Sequence, residues 1–525
     1  MTWRQYLILA LLGLGVVTLV AALQPSPGYM DADYYYAGGL QLAAGHGFTE
    51  PYLWNYLDTP AGIPHPSHAY WMPLASLLAA AGAALSHGSW WAARVGFLLV
   101  AACIPPVTGA LAWTFTSRRD LAMASGLLAV FPAFYISFLP TTDTFGLYML
   151  LGGLFFLILK RKPAAITPFL LGLLAGLMHL ARADGLMWLG MAWLADLFII
   201  QKHPGQKNTR QDWLRVIELL LLSLAGYLLV MGPWFLRNLA AFGTVLAPGG
   251  SKMLWLTSYD QLFAAPGVSI NIGTWIKSGI VAILRVRLWA LGLNLANAAS
   301  VQAEIFLLPF IAVGLWYYRK DRVVQFALLA WGLTLMAMTV AFPFAGARGG
   351  FFHSGAAVQS MGWALAPAGL ERVIIWASQK RHWDAKQAGK VFQAALVILA
   401  MLTTMIVIYV RVLGGLGGQP WDQERYAYRQ INKYLVSQGM NDEDVLMVAN
   451  PPGYYLISGN PAVAVPDGDL NALLGVAHRY NARYVILEEI STPGGLMPVY
   501  NQPENQPGLN YLGEVDGAQI YEIQP

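Results

Sequence analysis

Two carboxylates, Asp31 and Asp33, stand in the run Pro27-Gly28-Tyr29-Met30-Asp31-Ala32-Asp33-Tyr34-Tyr35-Tyr36, immediately beyond the first long apolar segment. A carboxylate held there among aromatic residues can take the proton from an attacking hydroxyl, or share a divalent cation with a second acid. Other ionisable residues recur just outside later apolar runs: Asp58, His65 and His68, then Asp143, then Arg182 with Asp184, then Arg237, then Arg348 with His353. Arginine suits an anionic group such as phosphate, because its charge is permanent and its donors form a planar fork. Each residue also has a plain structural reading. Asp143 can be a helix N-terminal acid favoured by the dipole, Arg182 with Asp184 an interfacial ion pair, and the histidines match no zinc-ligand spacing.

The elements that must position these residues are membrane spans. Hydrophobic residues make up 57% of the 525 and charged residues 11%, and the mean hydropathy is +0.49, so there is too little polar surface for a soluble globule. The net charge of +4 is dispersed rather than gathered into a stripe, which argues against nucleic-acid binding. Cys103 is the sole cysteine, so an intramolecular disulfide and a thiolate metal cluster are excluded.

Apolar runs of about 20 residues give about eleven transmembrane spans. They are Leu7 to Leu23, Trp91 to Phe115, Leu121 to Leu139, Phe145 to Leu159, Ala165 to Met178, Leu186 to Ile200, Val216 to Phe235, Ile305 to Tyr318, Val323 to Phe342, Ala356 to Ala377 and Phe392 to Val410. The first, after Arg4, is read as an uncleaved span. Basic clusters at Arg118-Arg119, Lys160-Arg161-Lys162, Lys202 to Arg215, Arg319 to Arg322 and Lys380 to Lys390 follow every second span, which places the N-terminus in the cytoplasm of a plasma-membrane protein. Tyr70 to Leu85 is then a short helix that does not cross, within a large first outer loop over 25–90. Arg285 and Arg287 are expected on an outer amphipathic helix. All the ionisable residues above fall on the extracytoplasmic side.

Beyond Gly414-Gly415-Leu416-Gly417-Gly418 the composition changes, so the chain divides into a membrane domain, 1–412, and a small extracytoplasmic α/β domain, 413–525. Helices are expected over Gln423 to Gln438 and Leu470 to Tyr480. Strands are expected over Asp444 to Ala449 and Arg483 to Leu487, with a hairpin over Tyr511 to Val515 and Gln519 to Ile523 turning at Asp516-Gly517. The fold class is an all-α polytopic membrane domain plus this α/β domain, which would cover the outer site, present an acceptor or serve as a plain cap.

Asp31-Ala32-Asp33-Tyr34-Tyr35-Tyr36 followed by Gly45-His46-Gly47-Phe48 resembles the first-loop pattern of integral-membrane GT-C glycosyltransferases. Pro64-His65-Pro66-Ser67-His68-Ala69-Tyr70-Trp71-Met72-Pro73-Leu74 resembles the proline-rich segment that follows it. Leu180-Ala181-Arg182-Ala183-Asp184-Gly185, Pro233-Trp234-Phe235-Leu236-Arg237-Asn238 and Gly349-Gly350-Phe351-Phe352-His353-Ser354 are similar to later landmarks of glycosyltransferase family 39, which includes protein O-mannosyltransferases and the lipid A aminoarabinose transferase.

The resemblance implies transfer of a sugar from a polyprenyl-phosphate carrier to a lipid, glycan or protein acceptor at the outer face, with inversion. Asp31 is the base, with Asp33 and Asp143 as further catalytic candidates. Arg182, Arg237, Arg348 and His353 would hold the donor phosphate, and His65, His68, Tyr35 and Asp184 the acceptor or sugar. A divalent cation on Asp31 and Asp143 is the one cofactor candidate. Pro420-Trp421-Asp422 and Arg381-His382-Trp383-Asp384 each have a single tryptophan, unlike the Trp-Trp-Asp signature of oligosaccharyltransferases, so a monosaccharide donor is expected. The rival from another class is a lipid or glycolipid transporter without transfer chemistry, against which stand the lack of an internal repeat and the scarcity of mid-span charge.

Overall fold

The computed structural model describes residues 1–161, 164–200 and 210–524; Lys162, and residues 202–209 of the Lys202 to Arg215 cluster, lie outside them. The chain opens with α1 (Trp3–Ala22), started by a capping box in which Gln5 Oε1 accepts the Thr2 backbone N–H at 2.9 Å. The first outer loop carries α2 (Met30–Ala43), strands β1 (Thr49–Glu50), β2 (Tyr52–Leu53) and β3 (His65–Pro66), and the short α3 (Leu74–Ala84). Then come α4 (Trp90–Thr116), α5 (Arg119–Val130), α6 (Phe145–Lys160), α7 (Thr167–Ala181), α8 (Leu186–Ile200), α9 (Arg210–Phe242), α10 (Ile280–Gln302), α11 (Leu308–Tyr317), α12 (Arg322–Ala341), α13 (Phe351–Gly355), α14 (Gln359–Arg381) and α15 (Ala385–Val412).

Among the described residues, α1, α4, α9, α10, α12 and α15 are each long and apolar enough to cross a membrane. α10 differs from the sequence reading in character: the segment holding Arg285 and Arg287 is a 23-residue helix apolar enough to cross a membrane rather than an amphipathic one, because its two arginines are outnumbered by leucine, isoleucine, valine and alanine. The expected span Leu121 to Leu139 is also broken: Pro132 has no N–H to continue α5, which ends at Val130 and gives way to a tight turn over Ala133–Ser137.

Small residues let the helices meet backbone to backbone. A Cβ on Gly172 would lie 1.8 Å from the Ser223 carbonyl oxygen, which is how closely α7 and α9 approach. Lys160 pairs with Asp321 and lies over the Phe115 ring at 4.5 Å, so the loops after α4, α6 and α11 share one end of the bundle, where Arg118 also pairs with Glu371. α6 runs from that end to the opposite one, where the first outer loop and the C-terminal residues sit.

The C-terminal residues form a six-stranded sheet in the order β2-β5-β4-β6-β8-β7, from β4 (Val445–Val448), β5 (Ala462–Ala464), β6 (Ala482–Glu488), β7 (Leu509–Val515) and β8 (Ala518–Ile523). Helices α16 (Gln423–Ser437) and α17 (Pro451–Ser458) cover one face and α18 (Leu470–Tyr480) the other. Side chains on β4 alternate accordingly: Leu446 and Val448 pack with Tyr428, Ile431 and Tyr454, and Met447 with Leu473 and Ala477. The β7–β8 hairpin turns where expected, with Asp516 and Gly517 at φ 53° and 79°. The sixth strand comes from elsewhere. β2, from the first outer loop, pairs parallel to β5 through Tyr52 with Ala462 and Leu53 with Val463, so this lobe shares its sheet with the membrane domain's first loop.

Candidate active site

α2 begins as the chain leaves the bundle, and its first turn carries Asp31 and Asp33, where the helix dipole favours acids. They point to different sides. Asp31 lines a cavity of about 490 Å³; Asp33 does not, and is buried against Asn450 of the lobe, which donates from Nδ2 to its Oδ2 at 2.9 Å. Asp143 comes from the turn before α6 and His353 from α13. His353 Nε2 stands 3.1 Å from Asp143 Oδ2 and 3.6 Å from Asp31 Oδ2. The imidazole is stacked on Phe145 at 3.8 Å, and its Nδ1 lies 3.0 Å from the Gly349 carbonyl, which fixes Nδ1 as the protonated nitrogen. Nε2 therefore faces the two carboxylates either as a second donor on a charged ring or as a lone pair toward a shared cation.

Asp143 is held from several directions. Tyr29 donates to its Oδ2 at 2.7 Å and the Thr144 amide to its Oδ1 at 2.5 Å. Burial alone would raise its pKa, but the charge and hydrogen bond of His353, with those from Tyr29 and Thr144, keep it below the ordinary carboxylate value. Asp31 goes the other way: burial, then repulsion from Asp143, pushes it up to about 6, against His353 and Arg182. Neighbouring acids driven apart in this way take different roles, one a fixed charge and the other a base stronger than an ordinary carboxylate.

Two cations share the cavity. Arg182, at the end of α7, donates from Nε to Asp184 Oδ1 at 3.0 Å, and Asp184 also accepts from Tyr148 at 3.2 Å. Arg348, in the glycine-rich turn before α13, lies over the Tyr259 ring at 4.4 Å. Tyr35 and Tyr70 line the wall, beside Trp54 and Trp71, whose rings stack at 4.0 Å; Phe235, Leu246, Met338 and Phe342 make an apolar flank.

Other candidates lie apart from this cavity. Arg237 donates to the Phe48 and Ser67 carbonyls at 3.1 and 2.8 Å and packs against Trp234 and Phe242, tying α9 to the first outer loop. His65 is paired with Asp58 at 2.7 Å. His68 is fully buried between the Ser67 and Ser76 hydroxyls, and burial lowers its pKa to about 3, so it is a neutral structural ring. Tyr29, Trp54, Tyr148 and Tyr259 went unmarked in the sequence reading. Tyr29 stood in the same quoted run as Asp31, but a tyrosine in an aromatic-rich loop carries no spacing that singles it out.

No family model and no curated sequence matches the chain, but solved structures do. ArnT from Cupriavidus metallidurans bound to undecaprenyl phosphate superposes with a TM-score of 0.56 at 11% identity, over 99% of this chain and 98% of that one. The Archaeoglobus fulgidus oligosaccharyltransferase, in complex with Zn and sulfate, gives 0.55 at 14% identity over 92% of this chain and 67% of that one. The same enzyme tethered to an acceptor peptide with an NVT sequon gives 0.55 over 93% and 69%. At such identities the likeness is one of fold alone, and the fold that this chain shares over nearly its whole length is that of ArnT and of this oligosaccharyltransferase.

Proposed function

We propose that this protein transfers a monosaccharide from a polyprenyl-phosphate donor to an acceptor hydroxyl at the extracytoplasmic face of the membrane. The observation that carries this reading is the meeting of Asp31, Arg182 and Arg348 in one cavity with an apolar flank. The polyprenyl chain lies on the flank, the phosphate between the arginines, and the sugar against the aromatic wall. The acceptor oxygen attacks the anomeric carbon as the bond from that carbon to the phosphate oxygen breaks. The electron pair leaves with polyprenyl phosphate, the proton goes to Asp31, and the single displacement inverts the anomeric centre. Phosphate is a good leaving group, so the second carboxylic acid that glycoside hydrolysis uses is not needed. The phosphate gains charge as it departs, which the fixed arginines stabilise more in the transition state than in the ground state.

Asp31, Asp143 and His353 bring one ligand atom each within 4.8 Å of one another, a donor set of two carboxylates and an imidazole that suits a divalent cation. Held by these three residues, such an ion would supply fixed positive charge to the site. The test is to reconstitute the protein in vesicles with a panel of polyprenyl-phosphate monosaccharides and follow loss of the lipid-linked sugar by mass spectrometry. Turnover in the wild type that Asp31→Asn abolishes is expected. Flux of intact lipid across the vesicle, without turnover, would replace this reading with transport.

A further inference from the structure

The lobe's sheet is wound so that one crevice stands open. β4 runs through α17 to β5 on one side, and the chain then crosses over through α18 to β6 on the other, so β4 and β6 are parallel neighbours between which the strand order reverses. Open α/β sheets take ligands at such a point, outside the carboxyl ends of the two strands. Here those ends are Asn450, just past β4, and Glu488, the last residue of β6. What enters the crevice is part of this same chain: the Asp33 side chain of α2.

Asn450 is fully committed to it. Its Nδ2 donates to Asp33 Oδ2 at 2.9 Å and to Glu424 Oε1 at 2.8 Å, and its Oδ1 accepts the Gly453 amide at 3.0 Å. Its backbone N–H donates to the Tyr428 hydroxyl, which donates in turn to Glu488. The cradle is tight on its Gly453 side, since a Cβ on Gly453 would stand 2.9 Å from Asp33 Oδ2 and 2.5 Å from Asn450 Nδ2. The lobe also grips the segment at its other end. Trp421 Nε1 donates to the Ser26 carbonyl at 3.0 Å and Arg425 to the Pro25 carbonyl at 2.8 Å, while the Trp421 ring meets Tyr29 edge-on. Tyr29 and Asp31 lie between these two grips.

We propose that the C-terminal lobe is a positioning module that binds Asp33 in its switch-point crevice and thereby sets Tyr29 and Asp31 against Asp143 and His353, with Asn450 as the key positioning residue. Its effect on turnover rests on the sugar-transfer reading; its effect on the segment does not. Asn450→Ala is expected to speed amide hydrogen exchange over residues 29–36 by at least tenfold and to lower kcat at least tenfold, while affinity for undecaprenyl phosphate changes less than threefold. A triple variant that exchanges donors for acceptors, Asp33→Asn with Asn450→Asp and Glu424→Gln, keeps the same bonds in reverse and is expected to restore both exchange and kcat to within threefold of the wild type. Unchanged exchange in Asn450→Ala, faster exchange at unchanged kcat, or no recovery in the triple variant would each overturn the proposal. Faster local exchange in a protein whose wild type turns over no donor leaves the clamp standing and removes the sugar-transfer reading instead.

Discussion

His353 Nε2 lies 3.1 Å from Asp143 Oδ2 although 210 residues separate them in the chain, and Asp31 completes the group from a third segment. Three turns at one end of the bundle converge on a single point. Chelation of divalent cations is expected to abolish turnover of the lipid-linked sugar, with recovery on adding Mn²⁺ or Zn²⁺, and His353→Ala should weaken cation binding on the order of tenfold or more. Titration calorimetry with the metal alone measures the second effect; full activity in chelator would show that His353 acts as a charged donor instead.

Replacing Asp31 by asparagine removes the base while keeping its size. The expected loss in kcat is roughly 10²- to 10⁴-fold, the usual worth of a positioned general base, with little change in donor affinity. Single-turnover assays beside lipid-binding measurements separate the two.

Arg182 and Arg348 face the cavity, whereas Arg237 is occupied by the Phe48 and Ser67 carbonyls. Alanine at either of the first two should weaken binding of undecaprenyl phosphate by roughly 10- to 100-fold, the equivalent of about 1.5–3 kcal/mol for a hydrogen bond to a charged group. Arg237→Ala should instead leave affinity near the wild-type value and lower the thermal midpoint. Equal binding losses in all three would contradict this division.

Glu424 is pushed up to about 8, first by burial and then by the charges of Asp33 and Glu488, with only the Asn450 hydrogen bond opposing. A carboxyl whose folded pKa stands above its unfolded value gains a proton on folding, so its ionisation favours the unfolded state. Stability of the lobe should therefore fall as pH rises from about 4.5 and level off above about 8. Melting curves across that range should show the decline in the wild type and a flatter profile in Glu424→Gln.

Gly28 has φ of +88°, and a Cβ there would meet the Trp421 indole at 2.2 Å. Gly28→Ala should cost about 1–2 kcal/mol for the left-handed backbone alone, and more as Trp421 is displaced from the Ser26 carbonyl. Tryptophan fluorescence and denaturant titration would report both changes.

The long apolar runs and the lobe's helices were legible because their periodicity extends over many residues. The convergence of Asp31, Asp143, Arg182, Arg348 and His353 at one end of the bundle follows from alternation of spans and basic clusters, so their common side could be read although their distances could not. Arg237, His65 and His68 could not be separated from them by residue type. What distinguishes them is a local partner, such as the Phe48 carbonyl or the Ser76 hydroxyl, and partners brought together only by the fold leave no mark on sequence. The helix at Ile280–Gln302 was expected, but its apolar length was missed because Arg285 and Arg287 interrupt its first turns. β2 and β5 were missed because two or three residues are too few to show a period.

The strand lent by the first outer loop to the C-terminal sheet fixes a schedule for making the protein. Tyr56 donates to the carbonyl of Ala464, 408 residues later, so the loop emerges from the ribosome roughly 20–80 s before its partner at about 5–20 residues per second. Through that interval the segment that carries Asp31 has no clamp. The sheet cannot take in β2 before Ala462 to Ala464 are made, so a chain that stops short of them carries the chemical groups without the means to align them.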